Sequence, residues 1–317
     1  MTRFILGRAA LLVGGWTLAS VIIFVTLRLL PGDVAQIVGG TQASPARVAQ
    51  LREQLGLNLP IHEQYWAWIT GIFSGNLGTS IVSNTPIAAE IWEKSAVTIP
   101  LALLSLVIAL VIALPLGFYA AYRKQNLVAE TIASLSIVAA AVPVVWAGLL
   151  LILVFSTWLG WFPSQGFPQA GWSDPVRALG ALLLPALTVG LVEAAVLFRF
   201  VRSATYAALN AEHVRTAMSF GYSHLHALIR SGLPGVGLSI VSVLGLQFAG
   251  LLTGAVVVEQ LFRLPGLGRM LLIDIGNRDL VKVQSTLLVL TGLVLIVGVL
   301  IDVIHRLIDP RLRVRQQ

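Results

Sequence analysis

Residues Ser95–Tyr122 carry no charged side chain and close on Arg123-Lys124, although Pro100 and Pro115 interrupt them. Such a run recurs along the chain. Ala9–Leu27 is uncharged and ends at Arg28. A third run follows Glu130 and reaches about Trp158 with Pro143 inside it. Leu179–Phe198 contains Pro185 and a single acid, Glu193. Gly235–Val258 and Val283–Ile301 complete the set. At about 1.5 Å rise per residue, each is just long enough for a helix to cross a hydrocarbon core of about 30 Å. A soluble fold of 317 residues, 57% of them hydrophobic and 11% charged, has nowhere to hide this surface. The sequence therefore predicts an all-α integral membrane protein with six transmembrane helices. The first run is longer than the roughly 7–15-residue core of a secretory signal peptide, so residues 1–30 are expected to stay as the first span.

The charges agree with that assignment. The formal net charge is +7, but the basic residues stand singly or in pairs beside apolar runs, which suits membrane flanks better than a nucleic-acid-binding face. Six spans place both termini on one side, and twelve of the 21 Lys and Arg residues fall there. By the positive-inside rule that side is cytoplasmic. The chain lacks cysteine, which removes disulfides and thiolate chemistry.

Residues 31–94 form the longest polar region, and their pattern is that of folded helices. Ser44-Pro45 reads as an N-cap followed by proline at the first helical position, and Gly56 sits where a C-cap belongs. Tyr65, Trp66, Trp68 and Phe73 crowd a second helix, as at a membrane–water interface or in a small extramembrane core. Asn84-Thr85-Pro86 opens a third short helix carrying Ile87, Ile91 and Trp92.

Chemical motifs are sparse. No GxxxxGK[ST] run is present to hold nucleotide phosphates, and no Gly-x-Ser-x-Gly elbow. His62-Glu63 lacks the second histidine of a metalloprotease motif. Asp302, His305 and Asp309 read as a solvated helix end, so no metal site is expected. Glu193, buried in an apolar run, is the candidate for the translocation path. The remaining polar island, 211–234, holds Glu212, His213, Arg215 and Ala217, centres on Gly221, and returns to apolar sequence at Leu233-Pro234. Gly221 can end a short helix in a left-handed conformation, and Ser223 can cap the next.

Set on Gly221, the island resembles the cytoplasmic loop of the type I permease subunits of ATP-binding-cassette importers. Its His213-Val-Arg-Thr-Ala217 run ahead of Gly221 is similar to the version found in the peptide/nickel class, first permease of the pair. It departs from the general loop motif at Arg215, Thr216 and Ser231. Further matches are Pro31-Gly32-Asp33, Leu55-Gly56-Leu57 with Pro60, Gln64-Tyr65 and Trp68, then Gly75-Asn76-Leu77-Gly78 with Ser80. Asn76 stands where Asp is usual. Glu259, Phe262, Pro265, Gly266 and Gly268 match an extracytoplasmic loop motif, followed by Arg278-Asp279 and Asp309-Pro310-Arg311.

The resemblance implies a type I permease fold in a prokaryotic inner membrane, with both termini cytoplasmic. It implies an N-terminal span (1–30), a helical extracytoplasmic region (31–94), a permease core (95–306) with its coupling loop at about 203–234, and a cytoplasmic tail (307–317). It also implies a second homologous permease, two cytoplasmic ATPase domains that bind ATP-Mg, and an extracytoplasmic substrate-binding protein. This chain would bind no cofactor and catalyse nothing. Peptides are the expected substrate, with nickel, haem and glutathione as alternatives. An ion-coupled secondary transporter using Glu193 and a non-transporting scaffold are the rival functions.

Overall fold

The computed structural model describes residues 2–29, 34–39, 43–54 and 56–308. Pro31-Gly32-Asp33, Leu55 and Asp309-Pro310-Arg311 lie outside them, as does the tail beyond Ile308. Among the described residues the chain is helical, with one isolated β-bridge, Thr79–Pro86. It divides into two compact units. The first comprises Met1–Val97 and Gly266–Ile296, the second Thr98–Pro265 and Val297–Gln317.

Among the described residues five helices are long and apolar enough to cross a membrane: the Phe4–Leu29 part of α1 (Thr2–Leu29), α5 (Ile87–Tyr122), α8 (Pro175–Leu209), a continuous helix from His224 to Leu261, and α13 (Leu280–Ile308). The expected third span is a bent pair, α6 (Leu127–Ala141) and α7 (Val144–Leu151), the latter prolonged by a π turn, Ile152–Trp158. The two segments meet at 105°, and counting them as one span makes six. Proline explains the break. Val142, which precedes Pro143, is extended at φ −74° and ψ 125°, the conformation that the proline ring favours at the residue before it.

Several helices outrun their apolar spans. The short helix expected after Pro86 is the first part of α5, and α8 begins at Pro175, where the Asp174 carboxylate accepts a hydrogen bond from the Arg177 amide at 3.2 Å. Backbone hydrogen bonding continues whether or not lipid is present, and Pro100, Pro115 and Pro185 sit inside α5 and α8 without ending them.

In the first unit, α3 (Pro45–Gln54) starts as the sequence indicates, with Ser44 Oγ accepting from the Arg47 amide at 3.3 Å. Helix α4 (Ile61–Phe73) lies against α1. Phe24 is buried between Tyr65 and Trp68, Trp16 meets Phe73 edge-on, and the Tyr65 hydroxyl is 2.8 Å from Ser20 Oγ. Trp66 and Phe73 stay exposed, so this helix has both a packed and an open face.

In the second unit, α8 is the most buried of the spans and packs chiefly against α11 (Leu233–Leu261), with α6 and α7 alongside. Small residues allow the approach. A Cβ at Gly190 would fall 2.9 Å from the Ser105 carbonyl of α5, while Gly250 and Gly254 of α11 face Glu193 and Val189 of α8. In lipid, where exclusion of water no longer drives helices together, this close fit supplies the packing energy. Elsewhere the apolar surface faces outward. Leu103, Val107 and Val111 form an exposed stripe on α5, and most of the large side chains of α1 are bare. That is a lipid-facing surface.

Candidate functional site

The polar island folds into two short helices, α9 (Glu212–Ser219) and α10 (His224–Ala227), between the tightly packed pair α8 and α11. The turn joining them follows from the Ala217-x3-Gly221 spacing. The Gly221 amide donates to the Met218 carbonyl at 3.0 Å, and the Tyr222 amide donates to the Ala217 carbonyl at 3.4 Å. This pair of bonds is a Schellman ending, which needs a left-handed residue at its pivot. Gly221 provides it at φ +89°. Ser223 Oγ then accepts from the His226 amide at 3.4 Å and caps α10. Glu212 sits in the first turn of α9, where a carboxylate faces the positive end of the helix.

The loop is held from beneath by apolar side chains. Val214 is fully buried, and it lies close to Gly232 beside Ala208. Leu209, Leu228 and Ala121 form a small buried cluster nearby. Helix α11 begins at Leu233-Pro234, with the proline in its first turn, but no break precedes it. Helix α10 passes through a π turn, Leu228–Gly232, directly into α11. Pro234 has no amide hydrogen to give Arg230, and the wider turn just before it absorbs that missing bond.

What the loop presents outward is different. Glu212, His213 and Arg215 are exposed, Ala217 and Leu233 are half-buried, and Pro234 and Gly221 are open. Nothing lies within 4 Å of where a Gly221 Cβ would stand. Phe220 is 78% exposed, and Leu225 and Ile229 are also bare. The sequence reading passed over Val214 and Phe220. The signal was available: α9 is amphipathic with one apolar β-branched residue among charges, and an aromatic precedes the turn glycine. Tyr222 accepts a hydrogen bond from Arg230 at 2.8 Å and stacks on His226, while His224 meets Tyr122.

Glu193 of α8 is half-buried and paired. Gln247 Nε2 of α11 donates to its carboxylate at 2.6 Å, leaving the buried Gln247 Oε1 without a partner. Glu259, at the end of α11, is fully buried and accepts from the Thr98 hydroxyl at 2.5 Å. Its carbonyl accepts from Leu264, and the Phe262 carbonyl accepts from Gly166, so Phe262 and Pro265 lie in a tied loop with Arg263 at φ +52°. Gly266 and Gly268 open α12 (Leu267–Gly276).

The first unit holds a buried charge network that the sequence motifs only touched. Asp279 Oδ2 accepts from Ser80 Oγ at 2.5 Å and from the amides of Ile81 and Val82, while its Oδ1 accepts from the Lys282 amide at the start of α13. Lys282 Nζ reaches Glu90 at 2.6 Å and Asp274 at 3.3 Å. Gly78, at φ +88° and 3.1 Å from Val281 at a notional Cβ, lets the 75–80 turn close onto this base. Among the described residues no group of three His, Asp or Glu side chains is placed to hold a metal ion.

Long apolar spans, a close-packed helix pair and an open loop carried between them are the architecture of a multi-pass membrane protein. Residues 113–314 match the family model described as binding-protein-dependent transport system inner membrane component, and residues 1–102 match its N-terminal counterpart. The chain is 36% identical over 313 residues to a protein of Brucella abortus (strain 2308) named for a peptide transport system permease, covering 99% of each. It is 32% identical over 313 residues to the glutathione transport system permease protein GsiC of Salmonella choleraesuis (strain SC-B67), again covering 99% of each. The chain belongs to the binding-protein-dependent transport system inner membrane components, the permease subunits of ATP-binding-cassette importers. Hydrolysis of ATP is the work of separate subunits in such systems.

Proposed function

We propose that this chain forms half of the translocation pathway of an importer for peptides or a related small solute such as glutathione. The names of the relatives support that substrate class. Its second half would be a homologous permease, with two cytoplasmic ATPase domains binding ATP-Mg below and an extracytoplasmic binding protein above. With the bent pair α6–α7 counted as one crossing, both termini and the α9–α10 loop lie on the cytoplasmic side of a prokaryotic inner membrane, in line with the Lys and Arg distribution. Residues 31–94 and the Glu259–Gly268 stretch are then extracytoplasmic, and 95–306 is the permease core.

The loop is the contact for the ATPase. One observation carries this: the α9–α10 turn is fixed to the α8–α11 pair by Val214, yet exposes Gly221, Phe220 and Leu225 to open space. A push on such a loop passes to both packed helices at once. Glu212, His213, Arg215 and Ala217 form its rim, and Leu233-Pro234 its root.

Substitution at Gly221 tests the proposal. Gly221→Trp meets no atom of this chain at Cβ, so its own cost is the left-handed backbone, about 1–2 kcal/mol. Gly221→Asn carries a similar but smaller backbone strain with a compact side chain. In membranes containing the assembled importer, Gly221→Trp should insert normally and lose nearly all uptake while ATP hydrolysis continues, and Gly221→Asn should keep most uptake. Equal uptake by both variants would sink the docking role of this turn.

The ion-coupled alternative rests on Glu193. Because its carboxylate is satisfied by Gln247, from which a glutamine can also accept, Glu193→Gln should keep most uptake, the weakened hydrogen bond costing about 0.5–1.5 kcal/mol of stability. Uptake abolished by this variant and by an uncoupler, yet insensitive to ATP depletion, would favour the secondary transporter.

A further inference from the structure

A cavity of about 340 Å³ lies in the second unit between the end of α5, the middle of α6 and the last turns of α8. The exposed α9–α10 turn does not line it, although Ser203 and Tyr206, at the beginning of the 203–234 region, do. Its floor is apolar: Phe198 and Ala133 are buried, and Ile137 both lines the cavity and lies exposed on α6. Its rim is basic, formed by Lys124, Arg199 and Arg202. No acidic side chain lines it, Glu130 of α6 included.

The state of the three cations is informative. Lys124 Nζ donates to the Tyr206 hydroxyl at 3.0 Å and stands 4.2 Å over its ring, which fixes the ammonium at the mouth. Arg199 and Arg202 make no ion pair or side-chain hydrogen bond among the described residues. Two guanidinium groups on an α-helix at i and i+3 share a face and repel each other by a few tenths of a kcal/mol, so their arrangement favours an anion between them. Guanidinium groups bind phosphate oxygens in pairs, and an ammonium adds a point charge.

We infer that this cavity holds the phosphate headgroup of an anionic phospholipid, with an acyl chain lying along the exposed apolar face of α6. A soluble phosphate would explain the basic rim but not the Phe198–Ile137 floor or its opening onto α6. A basic cleft between spans at the cytoplasmic end is where acidic lipids are held in membrane proteins generally. The assignment to the cytoplasmic leaflet rests on the orientation proposed above. The binding chemistry does not.

The test uses the full-length chain, delipidated in detergent and mixed with equal amounts of phosphatidylglycerol and phosphatidylcholine bearing the same acyl chains. Native mass spectrometry reads which lipid is retained. Phosphatidylglycerol should be favoured by at least about fivefold, the effect of roughly one basic residue at a membrane surface. The preference should vanish in Arg199→Gln/Arg202→Gln and return in Arg199→Lys/Arg202→Lys, which keeps both charges and shows that the helix still folds. Arg123→Gln removes a neighbouring charge outside the cavity and should change nothing. No preference in the parent chain, or equal loss on Arg123→Gln, would overturn the assignment. So would displacement of the lipid by millimolar orthophosphate, or crosslinks showing a second permease seated over Ile137. Retention is read on the isolated chain, so its failure leaves the Gly221 uptake test untouched, and the converse holds.

Discussion

Two of the polar regions that interrupt the apolar sequence are held by opposite means. Around Asp279 the charges are turned inward. Lys282, Asp274 and Asp279 are all buried, and each charged group finds a partner within the first unit. Around Gly221 the charges are turned outward. Glu212, His213 and Arg215 are exposed, and the fold holds the loop by Val214, Leu209 and Leu228 instead. The first region pairs its charges internally and closes the 75–94 segment onto the base of α13, leaving Asp274 Oδ2 as a buried oxygen with no hydrogen bond among the described residues. The second is complete only in its root, with an apolar, unpartnered crest at Phe220, Leu225 and Ile229. The inward-facing region uses directional, buried polar contacts. The outward-facing one keeps its polar chemistry on the surface, as the docking role proposed above requires.

The largest expected effect lies at the inward-facing network. Lys282→Met would leave Glu90 and Asp274 close together without their shared cation. Removing one partner of a buried ion pair typically costs about 3–5 kcal/mol. The melting temperature in detergent should fall sharply, and Ser80 and its neighbours should lose amide protection. Arg215→Ala, in the outward-facing loop, should change stability by no more than about 0.5 kcal/mol. If Lys282→Met melts with the parent chain, the contrast between the two regions is broken.

A middle-sized effect is expected at the root of the loop. Val214→Ala removes about two buried methyl groups, worth about 1.5 kcal/mol. The loss should be local: hydrogen exchange quickens in Glu212–Ser219 while α8 and α11 stay protected. Uptake should drop more than global stability does, because the push on the loop would no longer reach the helix pair in full. Unchanged exchange in α9 would mean that Val214 does not anchor it.

Much of this was legible in sequence, but unevenly. The apolar runs located every span, and Ala217-x3-Gly221 with Ser223 announced the turn between α9 and α10, because each is a local property of a few residues. Pro143 announced a break in the third span but not its 105° angle, which depends on what α6 and α7 pack against. Leu233-Pro234 marks the start of α11, but not the π turn that joins it to α10 without a break, since a π turn is a backbone adjustment with no residue signature. The pairs were the least visible. Ser80 and Asp279 are 199 residues apart, Thr98 and Glu259 are 161 apart, and Glu193 finds Gln247 across α8 and α11. Lys282 looks like one more loop charge until the fold buries it beside two carboxylates.

The smallest expected effect sharpens the inward-facing half of the comparison through pH. Burial pushes the Asp274 carboxyl above its ordinary range; the Lys282 ammonium opposes this, while Asp279 and Glu90 add to it. The folded chain thus holds that proton more tightly than the unfolded chain. Stability should rise as pH falls through the raised value towards the ordinary carboxylate pKa, and the charged form is a net cost above it. Asp274→Asn should flatten this part of the stability–pH curve and melt slightly higher than the parent at neutral pH. In the Lys282→Met background the same substitution should recover a clear part of the lost stability, because it removes one of the two uncompensated carboxylates. Additive effects of the two substitutions would show that Lys282 and Asp274 are not coupled, and the network would then reduce to the Lys282–Glu90 pair alone.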